Sequence, residues 1–145
     1  TSNHMAFALR EEKTLFSGDH VMGWSTSVIS PPDGDMAAYM ASLEKLLDRD
    51  DVRYWPTHGP SIEEPKTHVR AFIAHRQARA QQILDALASG LTQVSAMVPK
   101  MYADVSPNLY PAATRSVLAA VAYLGAQCKL TVTGPLNADA VLALS

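Results

Sequence analysis

The sequence is poor in cysteine, and this scarcity excludes several ways of stabilising a fold. Cys128 is the single cysteine among 145 residues, so no disulfide forms within the chain, and no Cys-x-x-Cys pair is present to hold a structural zinc ion. A chain without disulfides fits a reducing compartment, and we expect a cytoplasmic protein. Stability must come instead from an apolar core, which a 48% hydrophobic composition can supply.

Strong charge of one sign and long apolar runs are also missing. The 12 basic residues stand against 14 acidic ones, so the net charge of −2 produces no overall field that attracts nucleic acid or an anionic membrane. No apolar stretch approaches the roughly 20 residues of a membrane-spanning helix, and no signal-peptide pattern opens the sequence. We therefore expect no membrane partner, and any contact with RNA must be local.

The first half of the sequence alternates between strand and helix patterns. Short apolar runs at residues 5–9 and 14–17 surround a charged turn and predict a hairpin. Apolar residues at helical spacing follow over residues 35–49. Residues 52–55 then predict a buried strand that ends at Pro56. The order strand, strand, helix, strand, helix is typical of a layered α/β unit, in which sites collect where loops leave the strands.

The second half is mainly helical. Apolar spacing predicts a long helix from Thr67 to Ser89, followed by Gly90 as its terminator. Shorter helices are predicted over residues 92–102, interrupted by Pro99, and over residues 111–124, and a strand over residues 129–133. Three helices and a strand in this order are the outline of a winged-helix module.

These patterns divide the chain into three regions. Residues 1–66 form the α/β part, residues 67–90 a linking helix, and residues 91–145 the winged-helix-like domain. A winged helix that binds nucleic acid usually carries several basic residues on its recognition helix. The last region has few basic residues, namely Lys100, Arg115 and Lys129. A structural or protein-contact role is therefore the better interpretation of this domain.

Two loop residues have side chains suited to metal ions. Asp19 follows a strand and a glycine turn, and a carboxylate presented there can bridge two divalent cations. His58 lies on the stiff loop Thr57-His58-Gly59-Pro60, and an imidazole binds zinc at about 2.0–2.1 Å. Each residue also has an ordinary interpretation. An aspartate in a turn often bonds to its own backbone, and a lone histidine before Gly-Pro is usually a plain loop residue.

The neighbouring motifs make this pair more specific. Thr1-Ser2-Asn3-His4-Met5-Ala6-Phe7, Leu15-Phe16-Ser17-Gly18-Asp19-His20 and Pro56-Thr57-His58-Gly59-Pro60 together resemble the last half of metallo-β-lactamase superfamily hydrolases. Gly23-Trp24-Ser25-Thr26 and Ser30-Pro31-Pro32-Asp33-Gly34-Asp35 resemble the branch of the mitochondrial β-lactamase-like endoribonuclease, which also has a winged-helix domain. The resemblance implies the carboxyl-terminal half of an αββα metallo-β-lactamase sandwich followed by a small, mainly α winged-helix-like domain.

The resemblance also implies roles for the two loop residues. Asp19 matches the aspartate that bridges two zinc ions, and His58 matches the last histidine ligand of the second zinc. The family signature His-x-His-x-Asp-His, which supplies most of the ligands, is absent from the sequence. We therefore expect this chain to be part of a longer protein and to lack its amino-terminal half. Because a hydrolytic zinc site needs about three protein ligands and a water, zinc binding by this chain alone should be weak or absent, without useful hydrolysis.

Other polar residues receive weaker assignments. His4 and His20 match no family ligand and are expected to support the ligands or to line a loop. Ser25 and Thr26 have no recognisable base partner and are assigned to the substrate loop at most. Arg76 and Arg79 share one face of the long helix and are candidate contacts to an RNA backbone. A solvated helix face is the alternative interpretation of these arginines.

For the intact protein, the resemblance implies a dinuclear zinc hydrolase that acts on phosphodiester bonds in single-stranded RNA. A small-molecule ester, such as a thioester or a lactone, is the alternative substrate, because a fold does not determine a substrate. For this chain alone, the alternative function is a non-catalytic binding or interaction module. The expected partners are the missing amino-terminal half and, because apolar surface would be left uncovered, further copies of the same chain.

Overall fold

The strand and helix order expected from the sequence is present in residues 3–145, the part of the chain that this computed structural model describes. These residues form two units. The first contains the chain up to Ser27 together with Ala38–His75, and the second contains Val28–Ala37 together with Arg76–Ser145. Two helices contribute residues to both units: α1 (Met36–Leu47) and α2 (Pro65–Ala88).

The linking helix predicted from the sequence corresponds to α2, and the domain limits drawn around it stay a prediction. None of the helices within residues 3–145 is long and apolar enough to cross a membrane.

The first unit is built on a three-stranded sheet. Its strands are β1 (Phe7–Leu9), β2 (Thr14–Gly18) and β3 (Arg53–Pro56), in the order β1-β2-β3. β1 and β2 are antiparallel, which confirms the expected hairpin, and a 3-10 turn at Arg10–Glu12 joins them. β2 and β3 are parallel, and a parallel pair requires a crossover connection, which α1 supplies here.

The two faces of this sheet differ in character. Because successive side chains of a strand point to opposite faces, Leu15 and Tyr54 share one face, and both are buried. The other face carries a row of three aromatic cross-strand partners, here called the aromatic row, which stays exposed: Phe7 at 63%, Phe16 at 47% and Trp55 at 46%. The same unit buries apolar residues of its helices: Tyr39, Met40, Leu43, Leu46, Val69 and Phe72.

The second unit has a helical core closed by a hairpin. Its remaining elements are α3 (Val94–Met101), a 3-10 turn at Pro107–Leu109, α4 (Tyr110–Ala126), β4 (Leu130–Thr133) and β5 (Val141–Leu144). The core of this unit is apolar and draws on all three helices and both strands: Ile83, Leu87, Val94, Met97, Val117, Val121, Leu124, Leu130 and Leu142.

Two sequence expectations in the second unit need correction. Strand β5 was not expected, because a short apolar run near the end of the chain has no clear helical or strand period. Its assignment depends on antiparallel pairing with β4, in which Leu142 faces Val132. The interruption expected at Pro99 is also wrong, since α3 continues through Pro99 and ends at Met101.

Strand β5 provides a matched test of this core. Leu142 is fully buried, whereas Leu144, two residues further along the same face, is 49% exposed. Leu142→Ala should lower the free energy of unfolding by about 2–5 kcal/mol, because it removes transfer free energy and leaves a cavity. Leu144→Ala should cost clearly less in the same urea titration. Equal losses for the two variants would contradict the assignment of Leu142 to the core.

Candidate functional site

Asp19 and His58 meet at the edge of the sheet where two parallel strands end. β2 ends at Gly18 and β3 at Pro56, and these two residues are cross-strand partners. Asp19 follows the first strand directly, and His58 follows the second after one intervening residue. Asp19 Oδ1 lies 2.6 Å from His58 Nδ1. The expected convergence of these side chains is therefore present, whereas their role as metal ligands stays a prediction.

His4 packs against the turn that carries Asp19. The backbone N–H of Asp19 donates a hydrogen bond of 3.2 Å to Nε2 of His4. Gly18 has a φ of +57°, and a Cβ added there would lie 2.6 Å from the same Nε2 atom. A residue with a side chain would therefore be strained twice at this position, by its backbone conformation and by the imidazole. His4 thus orients the Asp19 backbone, and its Nε2 lone pair is already used.

The loop of His58 touches the loop after Asp19 through two glycines. Gly23 N–H donates a 2.9 Å hydrogen bond to the carbonyl of His58. A Cβ on Gly23 would lie 2.3 Å from the carbonyl oxygen of Pro60, and a Cβ on Gly59 would lie 2.8 Å from the Cα of Gly23. We call this contact the Gly23–Gly59 contact. It keeps the backbones of the two loops in direct contact. The sequence patterns alone did not indicate that Gly23 belongs to the site.

Residues of α1 support the segment Asp19-His20 from the other side. Tyr39 Oη donates a 3.0 Å hydrogen bond to the carbonyl of His20, and Ser42 Oγ lies 3.0 Å from His20 Nε2. The ring of Tyr39 meets the His20 ring edge-on, with centroids 5.1 Å apart. Burial is the main cause that lowers the pKa of His20, and repulsion from His4 lowers it further when that imidazole is protonated. His20 thus anchors the loop through these contacts, and its expected role in supporting a metal ligand stays a prediction.

Two further hydrogen bonds restrain this loop. Ser27 Oγ donates to the carbonyl of Asp19. On α2, His68 Nε2 lies 2.9 Å from the carbonyl oxygen of Met22, to which it donates. The sequence offered no signal for either bond, because the partners lie 8 and 46 positions apart and no local pattern pairs them.

The donor chemistry fits a divalent metal ion, although the described residues do not form a complete site. A carboxylate and an imidazole are both usual zinc ligands. The side chains of Asp19 and His58 are 54% and 52% exposed, so the pair is open to a further ligand or a substrate. Within residues 3–145, however, no group of three or more His, Cys, Asp or Glu side chains is arranged to hold a metal ion. His4 and His20 point their Nε2 atoms at Asp19 N–H and Ser42 instead.

The remaining predicted site residues lie in two places. Ser25 is exposed and Thr26 partly exposed on the loop that follows Gly23, and their contact with a substrate stays a prediction. In the second unit, Arg76 is only 7% exposed. Arg79 donates a 2.6 Å hydrogen bond to the carbonyl of Met101, and its guanidinium lies 4.3 Å above the ring of Tyr102.

These contacts bear on the expected role of the two arginines in binding an RNA backbone, which stays a prediction. A buried guanidinium such as that of Arg76 is not displayed to phosphate groups, whereas the partly exposed guanidinium of Arg79 already binds a helix carboxyl terminus and an aromatic ring. The solvated-face alternative does not describe Arg76 either. Both arginines are better explained by packing within the second unit. Arg76 is buried there, and Arg79 donates a hydrogen bond to the carbonyl of Met101 in the last turn of α3.

Comparison with known proteins identifies the class. Residues 94–127, which include α3 and α4, match the family model of the β-lactamase associated winged helix domain. A Beta-lactamase-like protein 2 homolog of Drosophila melanogaster is 38% identical over 136 residues, covering 92% of this chain and 45% of that protein. An atrochrysone carboxyl ACP thioesterase of Claviceps purpurea (strain 20.1) is 33% identical over 87 residues, covering 60% of this chain and 27% of that protein.

A crystal structure shows the same fold. A metallo-β-lactamase family protein of Thermus thermophilus matches with a TM-score of 0.81 at 20% identity, over 98% of this chain and 45% of that one. The chain therefore belongs to the metallo-β-lactamase superfamily and has a β-lactamase-associated winged-helix domain, and both the expected relationship and the expected fold class are confirmed. It spans less than half the length of these relatives.

The Gly23–Gly59 contact can be tested against a glycine of similar backbone conformation. Gly59 and Gly134 have φ values of +94° and +87°, yet a Cβ on Gly134 would meet nothing within 4 Å. Both Gly→Ala variants strain the backbone, whereas only Gly59→Ala adds a steric clash. Gly59→Ala should therefore lower the free energy of unfolding by about 1–3 kcal/mol more than Gly134→Ala. Equal losses in urea titrations would show that the contact is not tight.

Proposed function

We propose that the full-length protein containing this chain is a metal-dependent hydrolase, and that Asp19 and His58 provide two of its metal ligands. The observation that supports this proposal best is the 2.6 Å approach of Asp19 Oδ1 and His58 Nδ1 at the edge where two parallel strands end. Zinc is the proposed metal, with two ions in the full-length protein. This chain alone provides two converging donors, and we expect it to bind zinc weakly or not at all and to be inactive.

The chain's own residues would act by fixing the two donors. His4 and Ser27 hold the backbone of Asp19, and Gly23 holds the carbonyl of His58. Such supporting contacts keep ligands at the geometry that a metal requires. Zinc bound there would supply an activated water and would polarise the bond to be cleaved. The net reaction consumes one water and releases an acid together with an alcohol or a thiol.

Two classes of substrate follow from different observations. Phosphodiester bonds of single-stranded RNA follow from the sequence resemblance, but the arginines expected to bind the RNA backbone are buried or engaged. A thioester is favoured by the similarity to a protein named as an acyl carrier protein thioesterase. We therefore propose an ester-like bond as the site of cleavage, with a thioester as the first substrate class to examine and RNA as the second.

The ligand roles can be tested in the full-length protein. Asp19→Ala and His58→Ala should each lower kcat/KM by more than about 100-fold, because changing even the residues that support metal ligands costs 10–100-fold. Each variant should also lower the zinc content measured by elemental analysis. Asp104→Ala, an exposed aspartate of the second unit, serves as the control and should keep both properties. Turnover and zinc content of wild-type size in Asp19→Ala would overturn the proposal.

The proposal extends to the partner of the aromatic row. Three aromatic side chains exposed side by side on a sheet are typical of a surface that packs against another element. The relatives contain more than twice the matched length, so they have further polypeptide that could cover such a face. We assign the aromatic row to contact with that polypeptide. A second copy of this chain is the alternative occupant.

A comparison of two lengths of the protein tests this assignment. In the full-length protein, Phe16→Ala should lower the free energy of unfolding by about 3–5 kcal/mol, as expected for a buried phenylalanine. In the 145-residue chain the loss should be smaller, because Phe16 is 47% exposed there. Val52→Ala, also at an exposed apolar residue, should have a small effect in both. Similar losses for Phe16→Ala in both lengths would contradict the assignment, and a stable dimer of the 145-residue chain in sedimentation would favour the second copy.

A further inference from the structure

A large apolar side chain is displayed to solvent on the loop that follows Asp19. Trp24 is 71% exposed. An indole left in water forgoes the gain from burying one of the largest apolar side chains, and tryptophan is enriched at interfaces, so its exposure favours a contact role. Trp24 belongs to the same unit as Asp19 and His58.

The backbone immediately before Trp24 is fixed to the candidate site. Gly23 N–H donates to the carbonyl of His58, and the carbonyl of Met22 accepts a hydrogen bond from His68 on α2. The Cα of Trp24 lies about 3.8 Å, one peptide unit, from that of Gly23. Trp24 is therefore held beside the loop of His58 by the Gly23–Gly59 contact and is not on a loosely attached segment.

The chemical character of the loop indicates what Trp24 contacts. The segment Val21-Met22-Gly23-Trp24-Ser25-Thr26-Ser27 contains no charged residue. Surfaces that bind single-stranded nucleic acid combine aromatic side chains with a cationic groove for the phosphates. An exposed indole in an uncharged loop is suited instead to a neutral, apolar group.

We infer that Trp24 is a specificity-determining residue that packs on the apolar acyl group of an ester or thioester substrate. The inference rests on the proposed hydrolase function and adds to it the class of group that is recognised next to the bond. In the hydrolysis, water adds to the acyl carbon, the carbon–sulfur bond breaks, and the thiol leaves with a proton.

The test uses the full-length protein loaded with zinc and a series of thioesters. The substrates are acetyl, butanoyl and hexanoyl N-acetylcysteamine, and a decamer of single-stranded oligouridylate provides the nucleic-acid arm. Trp24→Ala should raise KM for the hexanoyl thioester about tenfold, which is the effect of one apolar contact, while the KM for the acetyl thioester and all kcat values change less than about twofold. Trp24→Phe should keep most of the wild-type preference for the longer acyl group.

Two reference variants separate the possible results. Val52→Ala removes a side chain that is 58% exposed and precedes β3, at the opposite end of the strand from His58, and should leave the acyl preference unchanged. Asp19→Ala should abolish turnover of every substrate. If Asp19→Ala retains turnover, the proposed function fails, whatever the effect of Trp24→Ala.

Three results would overturn the inference while leaving the hydrolase proposal intact. The first is an unchanged KM for all thioesters in Trp24→Ala. The second is an equal rise in KM for the acetyl and hexanoyl thioesters, which would indicate a general disturbance of the loop. The third is cleavage of oligouridylate without turnover of any thioester, which would assign the site to RNA.

Discussion

The parallel pairing of β2 with β3 is the constraint on which the candidate site depends. Because the two strands run in the same direction, their carboxyl ends meet at one edge, and the residues that follow them are brought together although 39 positions separate them in sequence. An antiparallel pairing would place Asp19 and His58 at opposite ends of the strands. The crossover through α1 makes the parallel arrangement, and α1 also provides Tyr39 and Ser42, which hold His20.

Close backbone contact then converts this proximity into a defined geometry. Gly23 and Gly59 allow two loops to approach at distances that a Cβ would prevent, and Gly18 leaves room for the His4 imidazole. His4, His20 and His68 are all occupied with backbone or hydroxyl partners, so the histidines near the site mostly serve as supports. His58 is the histidine whose ring faces the carboxylate. Asp19 and His58 thus remain exposed, while other residues make the hydrogen bonds that hold their loops in place.

The second unit is stabilised mainly by its apolar core. Its three helices and two strands enclose an apolar core, and Arg79 closes the carboxyl-terminal turn of α3. An arginine on a helix that also carries lysine and histidine looks like part of a basic surface when only spacing is considered. Burial shows that spacing alone cannot distinguish a charge that faces solvent from one that satisfies a helix end.

Much of this molecule follows from its local sequence patterns. The order of the elements in the first unit, the glycine turn before Asp19 and the Gly-Pro loop after His58 follow from apolar spacing and backbone preferences, which act between near neighbours. Motif resemblance supplied the superfamily. The pairing of β5 with β4, the burial of Arg76, and the contacts of Gly23 with His58 and of His68 with Met22 were not accessible in this way. Each of these depends on which distant segments become neighbours, and that choice is made by the packing of the whole unit.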